Sequence, residues 1–246
     1  ISLRNTIGTP YSEIWNSANS ESAAGGTPLA SALDEARRYL KDYKDNDKYR
    51  DCSQKFVILI TDGSDTYACS GDGSEGQKDQ YKRRKATVAN AKALADAGFK
   101  VFVIGFGAAM PDHLKNTLNW AAYYGGTDNP MMDNSGDPKA ILPSNDPCAD
   151  EKQPTNDPGS ATLSGYAFLA TGVNDMIAVL KKAFIMMSEA RYSFSLPSVS
   201  SSRTKDEDSI YEASFHLLND DSFWPGRLRR FSMDKDGTIG KLVWDA

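Results

Sequence analysis

The sequence predicts an α/β domain on a parallel sheet with flanking helices, followed by a β-rich C-terminal segment. Phe56-Val57-Ile58-Leu59-Ile60 and Val101-Phe102-Val103-Ile104 are continuous apolar runs rich in β-branched residues, as in parallel strands buried on both faces. Helical periodicity follows each run, and the order strand, helix, strand, helix argues for right-handed crossovers in one layer. Beyond about Arg191 the period drops to two, with Tyr211, Ala213, Phe215 and Leu217 alternating with polar residues. The expected division is an α/β domain over 1–190, with an irregular insertion at 127–163, and a β-rich segment over 191–246.

Residues 1–26 are rich in Ser, Asn, Gly and Thr around one apolar cluster at Ile14 and Trp15. Leu29, Leu33, Ala36 and Leu40 then recur at helical spacing. Thr27 stands where an N-cap belongs and Pro28 suits the first helical position. The first strand stops at Thr61-Asp62-Gly63, and a polar, glycine-rich loop runs to about Gln80. A second helix carries Val88, Ala91, Leu94 and Ala95 on one side and ends at Gly98, a C-cap residue. Lys100 to Phe106 is the second strand; Pro111 opens a third helix with Leu114, Leu118 and Ala121, which ends at Gly125-Gly126. The insertion is rich in Asp, Asn, Pro and Ser and long enough to imply a purpose. A short strand near Tyr166 to Leu169 leads into a helix with Ile177, Leu180, Phe184 and Met187 in register. In the tail, Arg227–Met233 and Lys241–Trp244 flank Asp234-Lys235-Asp236-Gly237, a hairpin turn.

Composition narrows the function. The 246 residues are 40% hydrophobic, enough for a core, and the net charge of -5 argues against a nucleic-acid partner. No apolar run approaches the roughly 20 residues of a membrane helix, so no membrane span is expected. Two histidines leave little room for a three-His zinc site. Gly105-Phe106-Gly107 lacks the third glycine of a dinucleotide fingerprint, and no Gly-x-Ser-x-Gly exists. Lys82-Arg83-Arg84-Lys85 reads as a solvated basic face, and His113 as a surface residue. Three cysteines, Cys52, Cys69 and Cys148, are too few for a disulfide scaffold, and the odd count suggests a partner outside the chain. Ile1 is followed by no leader pattern, so either a removed leader or a longer parent chain is expected.

One pairing points to chemistry. Gly25-Gly26-Thr27-Pro28-Leu29 places a hydroxyl at a helix start, and Ile60-Thr61-Asp62-Gly63 places a carboxylate at the C-terminal end of a strand. Both belong at the ligand edge of an open α/β sheet. Such hard oxygens suit a small divalent cation, Mg²⁺ or Mn²⁺, that keeps several waters. Asp65 and Asp72 in the acidic loop that follows, and Asp234 and Asp236 in the tail, are further candidates for Ca²⁺.

In order and spacing these loops resemble the von Willebrand factor A domain, over roughly residues 20–190. The resemblance implies that Thr27 and Asp62 supply two of three loops of a metal-ion-dependent adhesion site. The family's Asp-x-Ser-x-Ser element and the first strands of its sheet are missing from this chain. The expectation is an upstream polypeptide segment that completes both sheet and site. Leu118 to Thr127, Ser209 to Phe215, Phe223 to Leu228 and Val243 to Ala246 resemble PilY1-type type IV pilus proteins, in which an A domain runs into a β-propeller. Tyr211, Phe215, Trp224 and Trp244 would then be anchors buried at a blade edge. That resemblance implies a non-enzymatic adhesion or pilus-biogenesis module, extracellular at a pilus tip or outer membrane. Its expected partners are pilins or minor pilins and a host or surface ligand. An oxidising location in turn implies a Cys52–Cys69 disulfide, with Cys148 paired outside the chain. The rival readings are an intracellular A domain serving an ATP-driven machine, a metal-dependent hydrolase using Asp62 with Asp65 or His113, and a spacer with a vestigial site.

Overall fold

The computed structural model describes residues 3–22, 25–48, 53–74, 76–149, 156–188, 198–199, 209–215, 226–233 and 239–245. The chain forms two compact units, Ile1–Ala183 and Phe184–Ala246.

The first unit is the expected α/β layer. Helix α1 (Tyr11–Ser20), helix α2 (Leu29–Asn46), strand β1 (Phe56–Thr61), helix α3 (Gln80–Asp96), strand β2 (Lys100–Phe106) and helix α4 (Asp112–Tyr124) follow in order. The insertion adds two-residue strands β3 (Ser135–Gly136) and β4 (Leu163–Ser164), which pair antiparallel. Strand β5 (Phe168–Ala170) and helix α5 (Val173–Ser188) complete the run. The main sheet is parallel in the order β1-β2-β5, with Phe56 to Thr61 in register with Lys100 to Gly105. Leu33 of α2, Val88, Ala91 and Leu94 of α3, Val101 and Val103 of β2, and Leu114, Leu118 and Trp120 of α4 form one buried core. The Trp120 indole N–H, inside that core, donates to the Ala161 carbonyl at 2.8 Å and fastens the insertion to it.

The central strand has the predicted burial, but β1 does not. Val101 to Gly105 are all buried, whereas β1 is half-buried along most of its length and Ile60 is 51% exposed. β1 bonds only to β2, so its other edge carries no strand among the described residues. A continuous apolar run predicts burial on both faces, but hydrophobicity does not record whether a neighbouring strand is present.

Other expectations shift for physical reasons. The polar N-terminal stretch contains α1, which has no buried residue; Ile14 and Trp15 are exposed on it. In α5 the buried positions are Val179 and Ala183, while Ile177 and Phe184 are exposed, so the helix turns a narrower face inward than its apolar stripe suggests. The basic run of α3 is not a solvated face. Arg83 is 3% and Lys85 4% exposed; Arg83 Nη2 donates to the Lys78 carbonyl, and the Lys85 ammonium lies 5.2 Å from the Tyr81 ring centroid. Arg84 forms a bidentate pair with Asp157 of the insertion, Nε to Oδ1 at 2.8 Å and Nη2 to Oδ2 at 2.6 Å. Long cationic side chains at a helix start reached inward because acceptors from two loops fold over them.

The second unit holds a four-stranded antiparallel sheet in the order β6-β7-β8-β9: Ser198–Val199, Ser209–Phe215, Gly226–Met233 and Ile239–Asp245. The predicted pairing of the last two strands is present. Trp244 is partly exposed, not a buried anchor. Trp224 and the turn with Asp234 and Asp236 lie outside the described residues, so the tail Ca²⁺ expectation does too.

Candidate functional site

The site is built where the loop before α2 meets the loop after β1. At the end of β1 the buried Thr61 turns the chain, its hydroxyl donating to the Gly63 carbonyl and accepting from the Gly63 amide. That places Asp62 in solvent, and its carboxylate accepts no hydrogen bond among the described residues.

Residues 65 and 66 then tie this loop to the other. Thr27 N–H donates to Thr66 Oγ1 at 2.7 Å, and Thr66 N–H donates to the Thr27 carbonyl at 2.9 Å. Ala30 N–H, in the first turn of α2, donates to Asp65 Oδ2 at 2.7 Å. Tyr67 N–H and Ala68 N–H donate to Asp65 Oδ1 at 2.9 and 2.7 Å. A buried carboxylate that satisfies an orphan amide at a helix N-terminus is favoured by the dipole there. The close approach explains Gly26: a Cβ on it would collide with the Gly73 carbonyl oxygen and the Thr66 hydroxyl. Glycine is needed because two backbones touch at that point.

Thr27 is not the N-cap. Helix α2 starts at Leu29 with Pro28 at the cap position, and the side chain that reaches its first turn is Asp65 of the other loop. The Thr27 hydroxyl is left without a hydrogen-bond partner among the described residues. Thus the two oxygens singled out in the sequence, on Thr27 and Asp62, stand on loops stapled together, each unengaged.

The other candidates behave differently. Asp65 is a positioning residue whose oxygens are taken by three amides, so it is not an available ligand. Asp72 accepts from the Ser74 hydroxyl at 2.6 Å and the Ser74 amide at 2.9 Å. Those bonds, with the Arg83 charge, hold its carboxyl below the ordinary value. His113 is exposed on α4. Among the described residues no three His, Cys, Asp or Glu side chains gather as a metal cage. One carboxylate and one hydroxyl fit part of a Mg²⁺ or Mn²⁺ shell, and the remaining ligands would have to come from elsewhere.

The disulfide expectation is corrected. Cys69 bonds to Cys148, with their Cα atoms 5.1 Å apart, and not to Cys52, which lies outside the described residues. The bond joins the site loop to the insertion across 79 positions.

Residues 5–125 match the family model of the von Willebrand factor type A domain. Residues 5–125 of the α/β unit are therefore similar to a type A domain. The match takes in both loops of the site, Thr27 and Asp62 included, but begins earlier than the resemblance suggested and stops before the insertion, β5 and α5. No curated protein and no solved structure matches the chain. With the match the mixed α/β class is settled for this unit. That similarity points to adhesion or protein–protein interaction as the broad role of this region.

Thr66, Cys148, Arg84 and Asp157 were missed as participants. The signal for Thr66 was local, since Asp65-Thr66 follows Asp62-Gly63 within one turn of loop. No comparable signal marks Asp157 or Cys148, whose partners lie 73 and 79 residues away.

Proposed function

We propose that this chain is a cell-surface adhesion module, acting in pilus biogenesis or attachment, that binds an acidic ligand through a divalent cation. The observation that carries the reading is the Asp65–Thr66 staple, which joins the Thr27 and Asp62 loops and leaves both ligand oxygens unengaged. Thr27 and Asp62 would hold Mg²⁺ or Mn²⁺ together with Asp and Ser residues from an upstream segment. The cation supplies a point charge that meets a ligand carboxylate directly. The open edge of β1 supports the same segment as the strand that completes the sheet. The module is a binder rather than an enzyme, a reading supported by Asp65, whose carboxylate is taken by three amides beside Asp62.

An extracellular setting is supported by the Cys69–Cys148 bond, because disulfides persist in oxidising compartments. No helix among the described residues is long and apolar enough to cross a membrane. The pilus assignment, with pilins or minor pilins as partners, rests on the tail and α4 motifs and is supported by the antiparallel meander of the second unit. A second reading, a rigid spacer with a vestigial site, is favoured by the lack of a third converging acid among the described residues.

The test is attachment of the protein, co-expressed with the segment that precedes it, to an immobilised acidic peptide, read by surface plasmon resonance. Binding is expected in Mg²⁺, abolished by EDTA, and weakened at least about tenfold by Asp62→Ala and by Thr27→Ala. Binding that ignores EDTA and both substitutions overturns the adhesion-site reading.

A further inference from the structure

We infer that the Cys69–Cys148 bond is a thiol-exchange site, and that its reduction by a dithiol unlatches the insertion from the loop carrying Asp62. Three observations support it. First, among the described residues the bond is the tie between 142–149 and the site loop. Among the described residues, 142–149 make hydrogen bonds only with one another and with Asn156, as in Leu142 N–H to Asn156 Oδ1 and Cys148 N–H to Asp146 Oδ1. On either side the chain is fastened, by Ile141, whose carbonyl accepts from the Tyr124 hydroxyl, and by Asp157 on Arg84.

Second, the bond is reachable. Cys148 is exposed, and both cysteines line an open polar cleft of about 530 Å³ whose walls include Asp34 and Arg38 of α2 and Asn90 of α3.

Third, the loop is held in an unfavourable shape at that end. Cys69 and Ser70 both have positive φ, 53° and 63°, which L residues with a Cβ adopt at a cost. Between that turn and the Thr27 loop stand the Asp65 bonds, the Thr66 staple and the Gly26–Gly73 approach. Releasing Cys69 lets the turn relax and loosens the seat of the Thr27 loop.

The exchange balances with a dithiol as the named reductant. Its thiolate attacks the sulfur of the exposed Cys148, forming a mixed disulfide and freeing Cys69 as the thiolate. The second thiol of the reductant closes its own disulfide, Cys148 leaves, and both cysteines take up protons. Two electrons pass from the dithiol to the protein. The exchange itself stands on geometry alone; its effect on cation affinity rests on the site reading proposed above.

The test compares oxidised protein with protein reduced by dithiothreitol under native conditions. Thiol titration, amide hydrogen exchange and Mn²⁺ binding are read on both, with Cys148→Ser as an independently unlatched form. The expected result is two new thiols, faster exchange across 66–73 and 142–149, and Mn²⁺ affinity lowered several-fold, with Cys148→Ser matching the reduced protein. A bond that resists reduction in the folded protein, or unchanged exchange over 66–73 after reduction, overturns the latch. If exchange accelerates while the oxidised protein binds no Mn²⁺, the latch stands and the cation reading fails.

Discussion

Arg84→Ala is expected to destabilise the α/β unit by roughly 3–5 kcal/mol, the usual cost of leaving one member of a buried ion pair without its partner. The Asp157 side chain is 3% exposed and the Arg84 side chain 13%, so water cannot replace what the guanidinium supplies. The residual donors, Gly159 N–H at 2.9 Å and the Ser160 hydroxyl at 3.2 Å, place the expected loss toward the lower end of that range. Urea unfolding of wild type, Arg84→Ala and an Arg84→Met/Asp157→Leu double variant checks it. The double variant should recover most of the stability, since it removes both charges. The pH dependence has a definite sign. Burial alone would raise the Asp157 carboxyl, but the Arg84 bonds, the Gly159 amide and the Ser160 hydroxyl outweigh it and hold the group below 3.8. A depressed folded value contributes stability fully present above the unfolded value and lost as pH falls through the folded one. Acid unfolding of the wild type should therefore steepen below about pH 4, and that component should vanish in the double variant.

Asp65→Ala should cost about 3 kcal/mol or more, because three amides, of Ala30, Tyr67 and Ala68, lose their acceptor together. Asp65→Asn, which keeps one carbonyl acceptor, should cost less. The effect belongs to the joint between the two loops, so it should appear in amide exchange as faster opening at residues 27–30 and 66–68. Thermal unfolding together with that exchange pattern checks it. A loss of stability spread evenly over the unit, with no local change at these amides, contradicts the role given to Asp65.

Elements whose signal is local were readable from sequence. Leu29, Leu33 and Leu40 of α2, Val88 and Leu94 of α3, and Val101 to Ile104 of β2 are buried as their spacing implies. Gly98, at φ 89°, ends α3 as its position suggested. The candidate site was half legible: the loops that carry Thr27 and Asp62 do meet. What joins them was not, because Asp65 reads in the sequence as one more ligand, whereas in the fold three amides bind it. The same logic hid the roles of Arg83, Arg84 and Lys85. A run of four basic residues reads as a wet surface unless one knows that the insertion folds back to supply Asp157. The cysteine pairing failed for the same reason, since Cys69 chose the partner 79 positions away over the nearer Cys52. Periodicity describes an element's own faces; it is silent on which distant loop covers them.

The central claim is that Thr27 and Asp62, held on one rim by the Asp65–Thr66 staple, are ligands of a single divalent cation. Electron paramagnetic resonance of Mn²⁺ titrated into the protein, with its preceding segment present, tests this most directly. The account predicts one Mn²⁺ per chain, lost in Asp62→Ala and Thr27→Ala and retained in Asp72→Ala, whose carboxylate is turned to its own Ser74. Binding that survives Asp62→Ala, or that disappears only in Asp72→Ala, contradicts it.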